Sequence, residues 1–149
     1  MKTHVEFRSD KFPPYDGEQE DEINPRRWGR RLAEFLANGL RREGFEVSEP
    51  DLEDWGVAIS VTNDRFPLWI GCGNHEEYAD GFLCFIEPHT PVVRRWFREI
   101  DTVERVAALQ AAMHRVLSAD PSIRDIRWWT HDEFDSQAAD PSDARPAGE

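Results

Sequence analysis

The densest group of side chains that could carry acid–base or metal chemistry lies in the segment GCGNHEEYADG, residues 71–81. Carboxylates and imidazoles are the usual groups of proton transfer and of metal binding. The chain contains no HExxH or CxxC motif, and the adjacent His75 and Glu76 have no further ligand at a recognised spacing. Three interpretations stay open, a structural turn, a recognition loop and a catalytic or metal site, and we expect no catalytic residue, metal or cofactor. The side chains concerned are Asn74, His75, Glu76, Glu77, Tyr78 and Asp80.

The two cysteines, Cys72 and Cys84, are the other candidates for chemistry. Both lie in apolar stretches, and neither has the helix-start setting that makes a thiol reactive. Two cysteines are also too few for a disulfide framework. We interpret them as small buried core residues, with a cross-strand disulfide or a redox pair as the alternatives.

Three predicted strands position the loop and the cysteines. In Trp55–Val61, apolar side chains alternate with glycine, alanine and serine, which is the period of a strand with one buried face. Asn63 and Asp64 can form a two-residue turn, which would pair the last residue of this strand with Phe66. The turn therefore predicts the register of the first hairpin.

The second of these strands covers Phe66–Gly73, and the third, Phe82–Glu87, returns beside it with Cys72 opposite Cys84. That register places the apolar residues of all three strands on one face of the sheet. The opposite face, here called the second sheet face, carries large apolar side chains among small ones and needs a cover or a partner. These side chains are Trp69, Leu83 and Phe85, of which Trp69 and Phe85 are candidates for partner binding.

Six tryptophans are many for a chain of 149 residues. Trp28, Trp55 and Trp96 fall on predicted core stripes. The pair Trp128–Trp129 either covers the second sheet face or stands exposed, as interface aromatics do. Of these two arrangements, the sequence favours internal cover.

Helices flank the predicted strands. Asn24-Pro25 and Thr90-Pro91 are cap-plus-proline starts, and Asp101 with Glu104 forms a capping box. The predicted helices cover residues 25–43, 92–97 and about 102–118, and the further strands cover 4–7, 45–48 and 123–129. The order β-α-β-β-β-β-α-α-β predicts an α+β fold, with a mainly antiparallel sheet of five to six strands and helices packed on one face.

The length and the hydrophobic content of 39% suit one globular domain, which we place at residues 1–136. Residues 137–149 have no large apolar side chain to bury, so we predict a disordered acidic tail. The N-terminus lacks the apolar segment of a secretory signal, and the longest apolar stretches are short. We therefore expect a cytoplasmic protein.

The formal net charge of −12 argues against nucleic acid and anionic membrane as partners, because both attract basic surfaces. A basic protein partner suits an acidic chain better. Between Glu43 and Asp54 there are six acids and no base, so this segment is either simply solvated or offered to such a partner. The acidic candidates for partner binding are Glu49, Asp51, Glu53 and Asp54.

The segments EDWGVAISV, LWIGCGN and DGFLCFI are similar to segments of small bacterial proteins of unassigned function. The acidic, tryptophan-rich α+β character also resembles immunity proteins that neutralise bacterial toxins. This resemblance implies a protein that binds another protein, and it carries over no functional position.

We therefore expect a non-enzymatic protein-binding domain, immunity-like in character, that uses acidic and aromatic surface against a basic partner. The alternative is a small-ligand-binding protein or enzyme with a pocket between sheet and helices near residues 71–81. Such a pocket would be lined by Trp55, His75, Tyr78 and one of Arg94 and Arg95. A third hypothesis is a homodimer formed through the second sheet face.

Overall fold

The computed structural model describes residues 1–18, 27–75 and 78–136, which form eight strands and three helices. In chain order these are β1 (Lys2–Arg8), α1 (Arg30–Arg42), β2 (Asp51–Glu53), β3 (Gly56–Val61), β4 (Leu68–Asn74), β5 (Gly81–Glu87), β6 (Val92–Arg95), β7 (Arg98–Asp101), α2 (Val103–Ser118), β8 (Arg124–Thr130) and α3 (His131–Ser136). Six strands form one antiparallel sheet in the order β2-β3-β4-β5-β1-β8, and β6 and β7 form a separate hairpin. The predicted α+β fold is confirmed.

The core lies between one face of the six-stranded sheet and the two long helices. Ile59, Ile70 and Ile86 are neighbours across β3, β4 and β5, and all three are fully buried. α1 packs against β3 and β4, and α2 packs against β1, β8 and α1. Burial of apolar surface at about 25 cal/mol per Å² makes this layer the main source of stability.

The sequence predicted one of the two hairpin registers correctly. Cys72 lies opposite Cys84 in β4 and β5, as expected. Val61 pairs with Leu68 and not with Phe66, so the predicted register of β3 and β4 is wrong by two residues. Pro67 has no backbone N–H for pairing, and Asn63 Nδ2 donates to the Phe66 carbonyl at 2.8 Å, which closes a wider loop. A shift of two keeps every side chain on its predicted face.

Helix α1 begins at Arg30, later than predicted, because the backbone just before it forms hydrogen bonds with Asn74 and Glu18. The backbone of Trp28 pairs with Asn74: Asn74 N donates to the Trp28 carbonyl at 2.9 Å, and Trp28 N donates to Asn74 Oδ1 at 3.0 Å. The buried Glu18 carboxylate then accepts hydrogen bonds from the backbone N–H groups of Gly29 and Arg30, each at 3.1 Å. The predicted Asn24-Pro25 start lies outside the described residues.

The predicted strand at 45–48 is wrong. Only one isolated bridge, Val47 to Val61, forms there, and the strand β2 lies further along the chain at Asp51–Glu53. Ser48 Oγ accepts a hydrogen bond from Ser60 N at 2.9 Å, so side-chain bonding interrupts the regular ladder before β2.

The predicted short helix at 92–97 is also wrong, because this segment and the next form the β6–β7 hairpin. Val93 pairs with Ile100, and both are half-buried. Trp96 and Phe97 make the two-residue turn and are exposed, so the predicted core position of Trp96 is wrong as well. The residues of VVRRWF alternate between the faces of a ribbon and do not form one helical stripe.

The Trp128–Trp129 pair neither covers Trp69 nor stands exposed. It belongs to β8, which pairs with β1 at the sheet edge, so its two indoles point to opposite faces and both are buried. The short helix α3, which the sequence did not predict, covers part of the second sheet face through Phe134, whose ring stacks on His4 at 5.1 Å between centroids.

The tail at 137–149 lies outside the described residues, so its predicted disorder and the domain limits stay predictions. Across the ranges described above, no helix combines the length and the apolar composition that crossing a bilayer requires.

Candidate functional site

The 71–81 loop faces a cleft of about 150 Å³ at one end of the sheet. β1, the loop and the start of β8 meet here, so residues far apart in sequence share one polar surface. Neither Trp55 nor the arginines of β6 line this cleft, contrary to the pocket expected from sequence. Its lining residues are Glu6, Phe7, Arg8, His75, Tyr78, Gly81, Phe82, Asp125 and Arg127.

Two side-chain contacts join His75 and Tyr78 to β1 at the cleft. His75 Nε2 lies 3.5 Å from Glu6 Oε2, and the Arg8 guanidinium lies 4.6 Å from the centre of the Tyr78 ring. His75 and Tyr78 are therefore brought together, as the sequence predicted, with Glu6 and Arg8 as neighbours that sequence spacing could not reveal. Residues 76 and 77 are not described, so the predicted roles of Glu76 and Glu77 stay predictions.

Asp80 is the centre of an ion-pair network. Arg8 donates to Asp80 Oδ1 from Nε at 2.9 Å and from Nη2 at 2.8 Å, and Arg124 donates to Oδ2. The hydrogen bond from Arg8 lowers the pKa of Asp80, and the same bond raises the pKa of Arg8. Asp80 thus joins β1, the loop and β8 as a fixed anion.

Asn74 is a structural residue at the end of β4. It is buried, and its backbone and side chain both bond to Trp28 in the segment before α1. A partner could not reach this amide without separating the two segments. Of the loop candidates that the structure describes, only His75, Tyr78 and Asp80 line or border the cleft.

A cluster of three aromatic rings forms part of the second sheet face. Trp55 lies over Trp69 and Phe85, with centroid distances of 5.7 and 5.3 Å. Gly56 has φ 154°, which turns the chain so that Trp55 packs here and not on the predicted core stripe. Phe85 in turn lies over Gly71, where a Cβ would sit 2.3 Å from the ring. Trp69 and Phe85 are consequently half-buried by side chains of the same molecule.

Three histidines continue this surface towards α3. The ring of His131 stacks on His89 at 3.8 Å and lies 5.3 Å from His4, which also stacks on Phe85. Burial, with smaller contributions from His131 and His89, lowers the pKa of His4 to about 4. A neutral His4 therefore belongs to the packing beneath α3.

The four acidic candidates lie at a free edge of the sheet, here called the acidic edge (Glu49, Asp51, Glu53 and Asp54). β2 is the terminal strand of the sheet, and all four side chains are exposed. In the described part of the chain, their one ion pair joins Glu49 to Arg41 at 3.3 Å. Charged edge strands also protect sheets from unwanted pairing.

The β6–β7 hairpin carries the most exposed aromatic residues, and the sequence did not identify them. The side chains of Trp96 and Phe97 are 88% and 99% exposed, and Trp96 has φ 61°. Arg95 and Arg98 flank them directly opposite each other. The turn has no glycine or asparagine, which mark most two-residue hairpins. The available sequence signal for this hairpin was therefore the placing of the apolar residues Val92, Val93 and Ile100 on either side of a polar and aromatic segment.

The two cysteines are free and fully buried, with their sulfur atoms 3.6 Å apart. Burial raises the pKa of the Cys84 thiol, which keeps it protonated. Within the described ranges, no three His, Cys, Asp or Glu side chains are arranged to hold a metal ion.

Comparisons with protein-family models, with curated proteins and with solved structures find no match.

Proposed function

We propose that this protein is a non-enzymatic protein-binding domain whose acidic edge binds a basic partner. The observation that carries the proposal is the exposure of four carboxylates in and beside β2, a terminal strand of the sheet. Like charges placed this close repel one another, and a partner's lysines or arginines would relieve that repulsion.

The backbone of β2 supports the same proposal. A terminal strand has unpaired N–H and C=O groups, to which an extended basic segment can add as a further strand. The carboxylates at Asp51 and Glu53 share one face of β2, opposite Leu52, which is half-exposed. Main-chain pairing would supply affinity, and the acids would select a basic sequence.

The immunity-like resemblance gives this proposal a particular form, in which the partner is a bacterial toxin. An acidic inhibitor of a basic toxin gains a fast association rate from long-range attraction. In that form, co-expression with the toxin would restore growth, and the acidic edge would be required for the rescue.

The proposal is tested by reversing the charge of the acidic edge. The edge variant carries Glu49→Lys, Asp51→Lys, Glu53→Lys and Asp54→Lys. The matched control carries the same change of net charge at four exposed acids elsewhere, and its substitutions are Asp10→Lys, Asp16→Lys, Glu99→Lys and Asp132→Lys.

Wild type, edge variant and control are immobilised and exposed to one bacterial extract at low and at high salt, and bound proteins are quantified by mass spectrometry. We expect a basic protein that wild type and control retain, that the edge variant loses and that salt releases. Equal retention by the edge variant, or no basic protein with this pattern, would contradict the proposal.

A second candidate function is the binding of a small charged molecule in the cleft of the 71–81 loop. It is favoured by the convergence of His75, Tyr78, Glu6 and Arg8 on one cavity of about 150 Å³. That volume suits only a small ligand or part of a larger one.

Thermal unfolding in the presence of small charged metabolites tests this candidate. A ligand that binds the folded state raises the melting temperature, and the increase grows with the ratio of ligand concentration to dissociation constant. We expect the increase in wild type and its loss in His75→Ala, with the edge variant as a control that keeps it. If no compound distinguishes wild type from His75→Ala, the cleft is not a ligand site.

A further inference from the structure

The tip of the β6–β7 hairpin, residues Arg95–Arg98, is unfavourable for the isolated chain in three respects. Two large aromatic side chains stand in water. Trp96 adopts a left-handed conformation, which suits glycine or asparagine and costs a bulky residue about 1–2 kcal/mol. Arg95 and Arg98 are directly opposite each other, where like charges repel.

The rest of the described chain does little to offset these costs. Arg95 Nη1 donates to the Arg65 carbonyl at 3.1 Å, and this bond joins the hairpin to the loop between β3 and β4. Neither Arg94 nor Arg98 has an ion pair within the described residues. A two-stranded ribbon of this length is only marginally stable by itself. Strain and exposed aromatics at one place indicate a contact surface.

A depression of about 730 Å³, here called the side depression, lies beside this hairpin. Asp64, Asp101 and Glu104 supply carboxylates, and Phe66 and Ala108 supply apolar surface. Two arginines also line it, and one of them, Arg105, donates to the Thr62 carbonyl and lies over the Phe45 ring at 5.0 Å. The remaining lining residues are Thr62, Asn63 and Arg65.

We propose that two copies of this chain associate by exchanging hairpin tips, each tip entering the side depression of the other copy. Trp96 and Phe97 would lie on the apolar floor, and Arg94 and Arg98 would pair with Asp64 and Glu104 at the rim. The tip is basic, and the depression carries three carboxylates against two arginines, so opposite charges can meet at Asp64 and Glu104. The depression extends from Asp101 at the base of the hairpin to Arg65, whose carbonyl accepts the hydrogen bond from Arg95 near the tip.

The two surfaces are neighbours, because Asp101 ends β7 and also lines the depression. A two-fold axis between two antiparallel hairpins brings each tip to the other's depression, so the contact closes at a dimer. Four aromatic side chains would bury roughly 600–1,000 Å² in total. This is at or below the lower limit for specific interfaces, and the net charge of −12 on each copy opposes association. We therefore expect a weak dimer that forms in the micromolar range or above.

The first experiment measures the molar mass of the full chain by light scattering, from low micromolar to several hundred micromolar protein. We expect wild type to shift from monomer to dimer, and Trp96→Ala/Phe97→Ala to remain monomeric throughout. Because both side chains are exposed, the variant keeps the wild-type circular dichroism and melting temperature at low concentration, which separates loss of contact from loss of fold.

The second experiment exchanges charges between the two surfaces. Arg94→Glu/Arg98→Glu makes the tip acidic, and Asp64→Arg/Glu104→Arg makes the depression basic; Asp101 is left unchanged because its Oδ1 accepts the Val103 N–H at 2.8 Å. Each variant alone should be monomeric, since its tip and its depression then carry like charge. A mixture of the two should form a dimer, because both contacts in the mixed pair join opposite charges.

Three outcomes would overturn the proposal. Wild type that stays monomeric at the highest concentration excludes self-association, and if its tip then binds vesicles of anionic lipid in a Trp96-dependent way, the occupant is a membrane. A dimer that survives Trp96→Ala/Phe97→Ala places the contact elsewhere, for which the second sheet face is the alternative. Failure of the mixture to restore the dimer excludes the side depression as the receiving surface. None of these results depends on the basic partner of the acidic edge.

Discussion

The β4–β5 pair and the β6–β7 pair are both antiparallel hairpin partners, yet they use opposite kinds of residues. In β4 and β5, Cys72 faces Cys84 and Ile70 faces Ile86, and all four are fully buried. In β6 and β7, Arg95 faces Arg98 across a turn of two exposed aromatic residues. The first pair stabilises the monomer through apolar burial, and the second leaves its largest side chains without a role in the monomer.

The difference shows that the residues that stabilise the monomer are separate from the large side chains that face the solvent. The sheet and the two long helices bury their apolar residues against one another. The hairpin tip exposes arginine and aromatic side chains to the solvent, and the acidic edge exposes carboxylates. A fold of this kind tolerates change at its surfaces with little loss of stability.

The largest expected effect is in the β4–β5 pair. Ile70→Ala removes buried methyl groups between Ile59 and Ile86 and should lower the free energy of unfolding by about 2–5 kcal/mol. Urea unfolding at constant pH measures it. A loss below about 1 kcal/mol would mean that the core of the sheet is loosely packed and that the contrast between the two pairs is false.

The next effect concerns His4, which lies beside β5 in the same sheet. With a folded-state pKa of about 4, against a usual value near 6.5, His4 stays neutral in the folded protein while the unfolded chain binds a proton. The free energy of unfolding should therefore fall as the pH decreases from about 6.5 to about 4, by on the order of 3 kcal/mol at most.

Urea unfolding of wild type and His4→Phe across this pH range isolates the contribution. The neighbours His89, His131 and Asp135 are the same in both proteins, so the difference between the two curves reports His4. Parallel curves between pH 4 and pH 6.5 would show that His4 is not held neutral by the fold.

The smallest effect is expected at the tip. Trp96→Gly removes an exposed side chain from a left-handed position and should leave the free energy of unfolding unchanged or raise it by up to about 1 kcal/mol. The measurement is made at two low protein concentrations, because any dimer would add stability to wild type by mass action. A loss greater than about 1 kcal/mol would mean that Trp96 supports the monomer.

The same two strand pairs illustrate what sequence could predict. The alternation around Ile70 and Cys72 predicted which side chains face the core and that Cys72 lies opposite Cys84. A shift of one residue would move the apolar side chains to the other face of the sheet, so burial of one face excludes every odd shift of the register. A shift of two residues keeps the faces unchanged, so the pattern could not exclude it for β3 and β4. Pro67, which has no backbone N–H for pairing, accounts for the observed register. Thr90-Pro91 imitated a helix start, and the turn at Trp96 lacks the glycine that marks most two-residue hairpins.

The candidate site was predictable in part for a similar reason. His75 and Tyr78 share a cleft because they are close in sequence, whereas Glu6, Arg8 and Arg127 reach it through strand order, which pairs β1 with β5 and β8. Long-range pairing of this kind has no local signal. The exposure of the acidic edge followed from composition alone, since repelling carboxylates remain in water.

The most direct test of the hairpin tip as a contact surface is a concentration series of backbone amide spectra recorded by nuclear magnetic resonance. We predict that chemical shifts change with concentration at residues 62–66 and 94–98 and along the exposed side of α2, while the amides of β4 and β5 stay constant. Shifts that do not change with concentration, or that change across the second sheet face and not at the tip, would contradict this account.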